Sequence, residues 1–157
     1  MIVASTGNRK KMIPAAVLSS NSDEWETPQD LFDELDAEFD FDLDPCATDE
    51  NHKTLVYFTK EEDGLSKSWG GCNVFCNPPY SQIDKWVEKA HDEGIKDNTI
   101  VVLLIPARVD TDYFHRFILH RAEVRYIRGR LRFSGAKWNA PFASIVVIFR
   151  GAERKAK

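Results

Sequence analysis

The sequence has few of the residues that define disulfide-rich, metal-binding or membrane proteins. Its three cysteines are too few for a disulfide framework and form no C-x2-C pair, so we predict neither a disulfide scaffold nor a metal site. No apolar run approaches the roughly 20 residues that span a bilayer. Residues 1–21 also lack the charged-then-apolar order of a signal peptide. We therefore expect a cytoplasmic protein.

Basic residues are missing from one part of the chain and concentrated in another. Residues 21–50 contain thirteen acidic residues and no Lys or Arg, whereas residues 121–137 contain six basic residues and one acid, Glu123. This asymmetry favours a protein with one polyanion-binding side. A solvated hairpin edge protected by charge explains the basic segment equally well.

Length and composition are those of one ordinary globular domain. The chain has 157 residues, of which 43% are hydrophobic and 29% are charged, and this is enough to build a single core. Residues 1–21 show no periodicity and are predicted to be a flexible leader. We predict a single domain over residues 22–150 and a basic tail over residues 151–157.

Helical and strand patterns alternate along this domain. Three helices are predicted, one in residues 25–39 with Thr27 as N-cap and Pro28 at the first helical position, one from Ser81 to Gly94, and one from Asp110 or Thr111. Strands are predicted at residues 39–47, 54–58, 72–76, 99–107, 122–128 and 143–149. The alternation predicts an α/β fold with a mostly parallel sheet. The continuous apolar run 99–107 is typical of a central strand buried on both faces.

The segment Asn77-Pro78-Pro79-Tyr80 directly follows one predicted strand and precedes a helix. Two prolines fix φ twice and remove two backbone donors, so this turn should be rigid and extended. A rigid turn at the carboxyl end of a strand lies where open α/β sheets bind ligands. The alternative is a plain strand-to-helix connector.

Such a turn suits the methylation of an amide or ring amine, whose nitrogen lone pair is delocalised. The side-chain oxygen of Asn77 and the carbonyl of Pro78 can each accept one N–H and stabilise the positive charge that develops. Pro79 helps to hold the carbonyls still, and Tyr80 offers a flat face for the ring that is modified. A base in a duplex must be flipped out to reach such a turn.

Asn77-Pro78-Pro79-Tyr80 resembles the catalytic motif of amino-group methyltransferases that use S-adenosylmethionine. Together with four further segments, this turn follows the order found in bacteriophage-type DNA N6-adenine methyltransferases, the phage Dam-like family. The four segments are "EWETP" (24–28), "FDLDPCAT" (41–48), "EDGLSKSW" (62–69) and "RGRLRF" (128–133). The resemblance covers about residues 22–150.

The resemblance implies a Rossmann-like methyltransferase sheet with an antiparallel C-terminal strand and S-adenosylmethionine across the carboxyl ends of its strands. It implies methyl transfer to the N6 amine of adenine in double-stranded DNA, inside the cytoplasm of a bacterial host. The residues it assigns to the cofactor are Trp25, Thr27, Pro28, Asp44, Pro45, Cys46, Ala47 and Asp63. Of these, Asp63 would accept a hydrogen bond from the adenine amine of the cofactor. The alternative is that Asp44 and Asp63 only stabilise turns.

The sequence departs from the family pattern after its first strand and in its length. "DPCATDEN" (44–51) has no glycine, and the acid that would bind the cofactor's ribose is either Glu50 or Glu61. We expect no separate target-recognition domain, so we predict DNA contacts from one short segment, through Arg128, Arg130, Arg132, Lys137 and Trp138. The cations would hold phosphates, and Trp138 would either stack near the target or pack within a hairpin.

Two other functions are compatible with these residues. One is protein glutamine N5-methylation, which uses the same turn, although those enzymes usually carry the Gly-rich cofactor turn that is missing here. The other is a catalytically silent DNA-binding module with the same fold. The acidic block at 21–50 argues against simple nonspecific DNA binding, which depends on neutralising phosphates.

Overall fold

The structure, a computed structural model of the chain, describes residues 2–3 and 25–153. Residues 4–24 and 154–157 include most of the predicted leader (1–21) and of the predicted basic tail (151–157), and they lie outside the described residues. The first two described residues, Ile2 and Val3, form a short edge strand.

Seven strands of the described residues form one sheet in the order β1-β6-β7-β5-β4-β2-β3. Their bounds are Ile2–Val3 (β1), Leu43–Asp44 (β2), Val56–Tyr57 (β3), Asn73–Cys76 (β4), Ile100–Pro106 (β5), Glu123–Arg128 (β6) and Ser144–Arg150 (β7). Strands β2 to β5 run parallel, β1 runs parallel to β6, and β7 is antiparallel to both its neighbours, β5 and β6. The predicted α/β class, mostly parallel with an antiparallel C-terminal strand, is confirmed.

Strand β5 lies at the centre of the core, as its continuous apolar run predicts. Its side chains alternate between two hydrophobic clusters, with Val101 and Leu103 on one face of the sheet and Val102 and Leu104 on the other. All four are fully buried. Because both faces are covered, the sheet is the middle layer of three.

Two α-helices, α1 (Gln29–Phe39) and α2 (Ile83–Gly94), cover opposite faces of the sheet. Helix α1 buries Leu31, Phe32, Leu35 and Phe39, and α2 buries Ile83, Trp86, Val87 and Ala90. The predicted third helix, from Asp110 or Thr111, is present as a short helical segment that is π-helical over Phe114–Ile118.

The predicted N-cap Thr27 and the predicted start of the second helix at Ser81 are both wrong. Helix α1 begins two residues after Thr27, and Pro28, with φ −55° and ψ 132°, occupies the cap position without a side-chain bond. The Thr27 hydroxyl instead accepts a hydrogen bond from the Asn77 amide. Ser81 lies inside the 3-10 turn Tyr80–Gln82, and α2 begins after it.

A buried carboxylate ties the end of α2 to the segment that leads into β4. Glu93 is 4% exposed and accepts from the Trp69 backbone N–H at 2.9 Å, from Lys89 at 2.8 Å and from Lys96 at 2.7 Å. Burial alone would raise the pKa of Glu93, but these three donors outweigh it and lower the pKa. The charged carboxylate therefore stabilises the fold.

We expect Glu93→Gln to reduce the free energy of unfolding at neutral pH by about 1–3 kcal/mol, because it removes a charged acceptor from three donors. A lowered native pKa contributes stability above the ordinary Glu pKa of about 4.3, and this contribution is lost as pH falls through the native value. The deficit of the variant, measured by urea unfolding, should therefore shrink in acid. The exposed Glu88→Gln on the same helix serves as control, and a Glu93→Gln deficit that stays constant with pH would contradict this role.

Candidate active site

The Asn-Pro-Pro-Tyr turn lies at the carboxyl edge of the sheet, immediately after β4. Strand β4 ends at Cys76, and Pro79 continues in extended geometry with φ −63° and ψ 129°. The Pro79 carbonyl accepts from the Gln82 backbone N–H at 3.1 Å, which closes the 3-10 turn over Tyr80–Gln82. The turn is thus fixed at both ends, as its prolines predict.

The Asn77 side chain is held by a segment more than forty residues earlier in the chain. Its Nδ2 donates to the Trp25 carbonyl and, at 2.9 Å, to the Thr27 hydroxyl. Its Oδ1 is buried and has no hydrogen-bond partner among the described residues. A buried acceptor without a donor is unfavourable unless a ligand supplies one. Oδ1 is therefore a ready acceptor for an N–H group.

Aromatic side chains surround the turn. The rings of Trp25 and Tyr80 are nearly parallel, at 18°, with centroids 6.3 Å apart. Phe142 meets the Tyr80 ring edge-on at 5.4 Å, and Phe133 lies 5.2 Å from Trp25. Burial raises the pKa of Tyr80 far above its ordinary value, so its hydroxyl stays protonated. The site therefore presents flat apolar surface beside the Asn77 acceptor.

A cavity of about 730 Å³ opens beside the turn, a volume typical of small-molecule sites. Its walls contain most of the residues predicted to bind the cofactor, namely Trp25, Thr27, Asp44, Pro45, Cys46, Ala47 and Asp63. Pro28 is not among the lining residues. Of the two acids considered for the ribose, Glu50 lines the cavity and Glu61 does not.

Two acids in the cavity wall also have turn roles. Asp44 is 5% exposed and accepts from the backbone N–H groups of Lys53 at 3.0 Å and Cys46 at 3.4 Å. Burial raises its pKa despite these bonds. Asp63 adopts a left-handed backbone conformation, φ 55°, just before the 3-10 turn Gly64–Ser66. Asp44 and Asp63 therefore each occupy a turn and also line the cavity.

Gly64 packs closely against the backbone of Pro45, in the turn that follows β2. A side-chain carbon at Gly64 would lie 2.0 Å from the Pro45 carbonyl oxygen. The Gly64 carbonyl also accepts from the buried Trp69 indole at 3.0 Å. Gly64 therefore lets its segment pack directly on the turn that follows β2, which itself contains no glycine.

The predicted DNA-binding residues lie on the connection between β6 and β7, residues 129–143, or at the end of β6. Strands β6 and β4 run in the same direction, so this connection leaves the sheet at the edge that carries Asn77. Buried Leu131 and Phe133 alternate with exposed Arg130 and Arg132. Arg128 and Lys137 are also exposed, and half-buried Trp138 lies under the Lys137 ammonium at 5.5 Å.

Sequence reasoning missed the residues that bind this connection to the N-terminal segment. Ser134 lines the cavity, donates through its backbone N–H to the Glu26 carbonyl at 2.9 Å and through its hydroxyl to the Thr27 carbonyl at 3.4 Å. Phe142 packs on Trp25 and Tyr80. No local pattern marks Ser134 or Phe142, whereas the alternation of Leu131 and Phe133 with arginines is a readable signal.

Residues 2–3 and 25–153 hold no cluster of three or more His, Cys, Asp or Glu side chains placed to bind a metal ion. In the same residues, no helix has the length and apolar character needed to span a bilayer.

The fold and site define an α/β protein with an Asn-Pro-Pro-Tyr turn beside a ligand-sized cavity. The sequence model of the family described as DNA N-6-adenine-methyltransferase (Dam) matches residues 15–155. The chain therefore belongs to this family, and the resemblance noted from its motifs is confirmed.

Two phage proteins illustrate the similarity. The DNA N-6-adenine-methyltransferase of Haemophilus phage HP1 (strain HP1c1) is 33% identical over 110 residues, which are 69% of this chain and 64% of the relative. The DNA N-6-adenine-methyltransferase of Escherichia phage T1 is 32% identical over 111 residues, which are 69% of this chain and 46% of the relative. The match covers less than two thirds of either relative.

We expect Gly64→Ala to lower the free energy of unfolding by about 1–3 kcal/mol, because its methyl group would overlap the Pro45 carbonyl. Gly70→Ala is the matched control, since its methyl group would meet only ordinary contacts at 3.5 Å and should change stability by no more than about 0.5 kcal/mol. Urea unfolding measures both. Equal stability of the two variants would show that the Gly64–Pro45 contact is not required.

Proposed function

We propose that the protein transfers a methyl group from S-adenosylmethionine to the N6 amine of adenine in DNA, on a Rossmann-like methyltransferase fold. The observation that carries the proposal is the buried, unpartnered Oδ1 of Asn77 at the carboxyl edge of the sheet. An exocyclic amine is the donor that this acceptor lacks. Family membership and the names of the two phage relatives support the same activity.

The cavity beside the turn fits S-adenosylmethionine in size and chemistry. The residues that would hold it are those that line the cavity, with Asp63 at the adenine amine, Glu50 at the ribose and the Asp44–Ala47 turn against the rest. The cofactor, when bound, supplies a methyl group activated by a positively charged sulfur. Acidic residues in the wall suit a ligand that carries such a charge.

The turn residues prepare the amine. Asn77 Oδ1 and the Pro78 carbonyl each accept one N–H of the amine, which draws its lone pair out of conjugation with the ring and stabilises the positive charge that develops on nitrogen. The two prolines and the bonds to Trp25 and Thr27 fix these acceptors in advance, so little reorganisation is needed during reaction.

The aromatic side chains and the exposed cations suit a base extruded from DNA. The Tyr80 ring stacks on the flipped adenine, in surroundings already lined by Trp25 and Phe142. Arg128, Arg130 and Arg132 lie on the same edge of the sheet, where they hold phosphates flanking the extruded base. The row of cations favours this substrate over a protein glutamine.

The decisive experiment is transfer of labelled methyl groups, first to DNA and then to protein extract, with the labelled nucleoside identified after digestion. Label on N6 of adenine supports the proposal. Label on glutamine supports the protein methyltransferase instead. If the protein binds DNA but transfers no label, it is a catalytically silent DNA-binding module.

We expect Asn77→Ala to lower the single-turnover transfer rate about a hundredfold to a thousandfold, because one preorganised acceptor is lost. Stability should also fall, by about 1–3 kcal/mol, because the Nδ2 bonds to Trp25 and Thr27 are lost as well, so the rate is measured on folded protein at saturating S-adenosylmethionine. The control is Asn73→Ala at the other end of β4, where the side chain bonds the Phe39 carbonyl at 2.8 Å. Asn73→Ala should lose stability and keep its transfer rate. An Asn77→Ala enzyme that transfers methyl groups as fast as wild type would contradict the mechanism.

Replacing Arg128, Arg130 and Arg132 together by Ala should weaken DNA binding and flatten its salt dependence. Each lost phosphate contact makes the negative slope of log affinity against log salt shallower by roughly one unit. Arg121→Ala is the control, because Arg121 is exposed near the opposite end of β6. A triple variant with the wild-type slope, measured by fluorescence anisotropy, would place the DNA elsewhere.

A further inference from the structure

The acceptors that hold the Asn77 amide come from one short segment, residues 25–27, and they leave its oxygen free. We propose that the Thr27 hydroxyl, together with the Trp25 carbonyl, is a positioning device that keeps the Asn77 amide turned with Oδ1 towards the target amine. The inference rests on the function proposed above. It gives Thr27 a role that the family resemblance does not, since the resemblance implies contact with the cofactor.

The two ends of an amide differ in chemistry, so its orientation matters. A backbone carbonyl can only accept hydrogen bonds, so the atom of Asn77 that faces Trp25 must be the NH₂ group. If the amide turned over, two oxygen atoms would face each other at Trp25. The NH₂ group would then occupy the place where an acceptor is needed. Asn77 can therefore accept a hydrogen bond from the target amine only in the rotamer that turns Oδ1 towards it.

The Thr27 hydroxyl supplies the second bond to Nδ2, at 2.9 Å. Thr27 is itself well fixed, because it is 3% exposed, precedes Pro28 and has its carbonyl bonded to the Ser134 hydroxyl. The neighbouring Glu26 carbonyl is bonded to the Ser134 backbone N–H. A rigid acceptor on a rigid segment holds the amide with little loss of entropy at the moment of reaction.

The same segment, Trp25 to Thr27, also lines the cavity assigned to the cofactor. A displacement of this segment would alter the cavity wall and release the Asn77 amide together. The segment therefore contributes both to the cavity wall and to the hydrogen bonds that hold the Asn77 amide.

The test compares Thr27→Val, which removes the hydroxyl, with Thr27→Ser, which keeps it. At saturating DNA and S-adenosylmethionine, Thr27→Val should lower the single-turnover rate about tenfold, the size expected for one lost hydrogen bond. Thr27→Ser should restore most of that loss. The affinity for S-adenosylhomocysteine, measured by calorimetry, should change less than about threefold in both variants.

The matched control is Thr99→Val. Thr99 is also buried, and its hydroxyl accepts the Gly71 backbone N–H at 2.8 Å, just before β5 and at the opposite edge of the sheet. This variant should lose stability and keep its transfer rate. If Thr27→Val and Thr99→Val slowed transfer equally, Thr27 would be merely structural and the proposal would be overturned.

A second readout does not depend on activity. The side-chain NH₂ signals of Asn77 in a ¹⁵N-labelled sample are identified by their disappearance in Asn77→Ala, and their exchange with water should be slow in the wild type. Thr27→Val should accelerate that exchange several-fold, and Thr99→Val should not. Unchanged exchange in Thr27→Val overturns the proposal.

Two further outcomes distinguish the positioning role of Thr27 from a cofactor-binding role and from failure of the proposed function. If Thr27→Val weakens S-adenosylhomocysteine binding and leaves the saturated rate unchanged, Thr27 is a cofactor ligand and the positioning role is wrong. If wild-type protein transfers no methyl group to DNA, the proposed function fails on its own. The exchange measurement then still settles whether the Thr27 hydroxyl holds the amide.

Discussion

The hydrogen bonds donated by the Asn77 amide connect the parts of the chain from which the site is made. They join the end of β4 to Trp25 and Thr27, and Ser134 in turn bonds the same N-terminal segment to the connection between β6 and β7. The cavity wall, the aromatic cluster and the free Oδ1 all depend on where that segment lies. Buried polar networks of this kind specify one arrangement, because a broken member leaves a costly unpaired group.

Several acidic residues of the segment 25–50 are hydrogen-bonded within the fold. Asp36 accepts from the Phe41 backbone N–H at the end of α1, and Asp42 accepts from the Asn73 backbone N–H at the start of β4. Glu38 forms a two-bond pair with Arg125 of β6, which raises the pKa of that arginine further. Thus one of the basic residues in the segment 121–137 stabilises the fold, and the exposed cations beyond it stay available to a polyanion.

Patterns that depend on neighbouring residues were readable from the sequence, and those that depend on distant ones were not. The apolar run of β5, the helix end at Gly94 and the rigid proline turn are local properties, and the structure contains them. Thr27 shows the limit, because a threonine before Pro28 can cap a helix or bond a distant side chain equally well. The choice is made by Asn77, some fifty residues later. The roles of Ser134 and Phe142 arise in the same way, from contacts across the fold.

The position of β7 has a consequence for how the chain acquires this structure. The last strand of the described sheet lies between β5 and β6 and is hydrogen-bonded to both. Until residues 144–150 arrive, β6 has no partner on that side, and the connection that carries Ser134 and Phe142 has no fixed end. During translation, the half of the sheet from β2 to β5 can assemble first, but the aromatic cluster closes only after the final strand is inserted. Such a non-local insertion makes folding slow relative to the pairing of neighbouring strands, so the order of synthesis separates formation of the β2–β5 half of the sheet from completion of the aromatic surroundings of the Asn-Pro-Pro-Tyr turn.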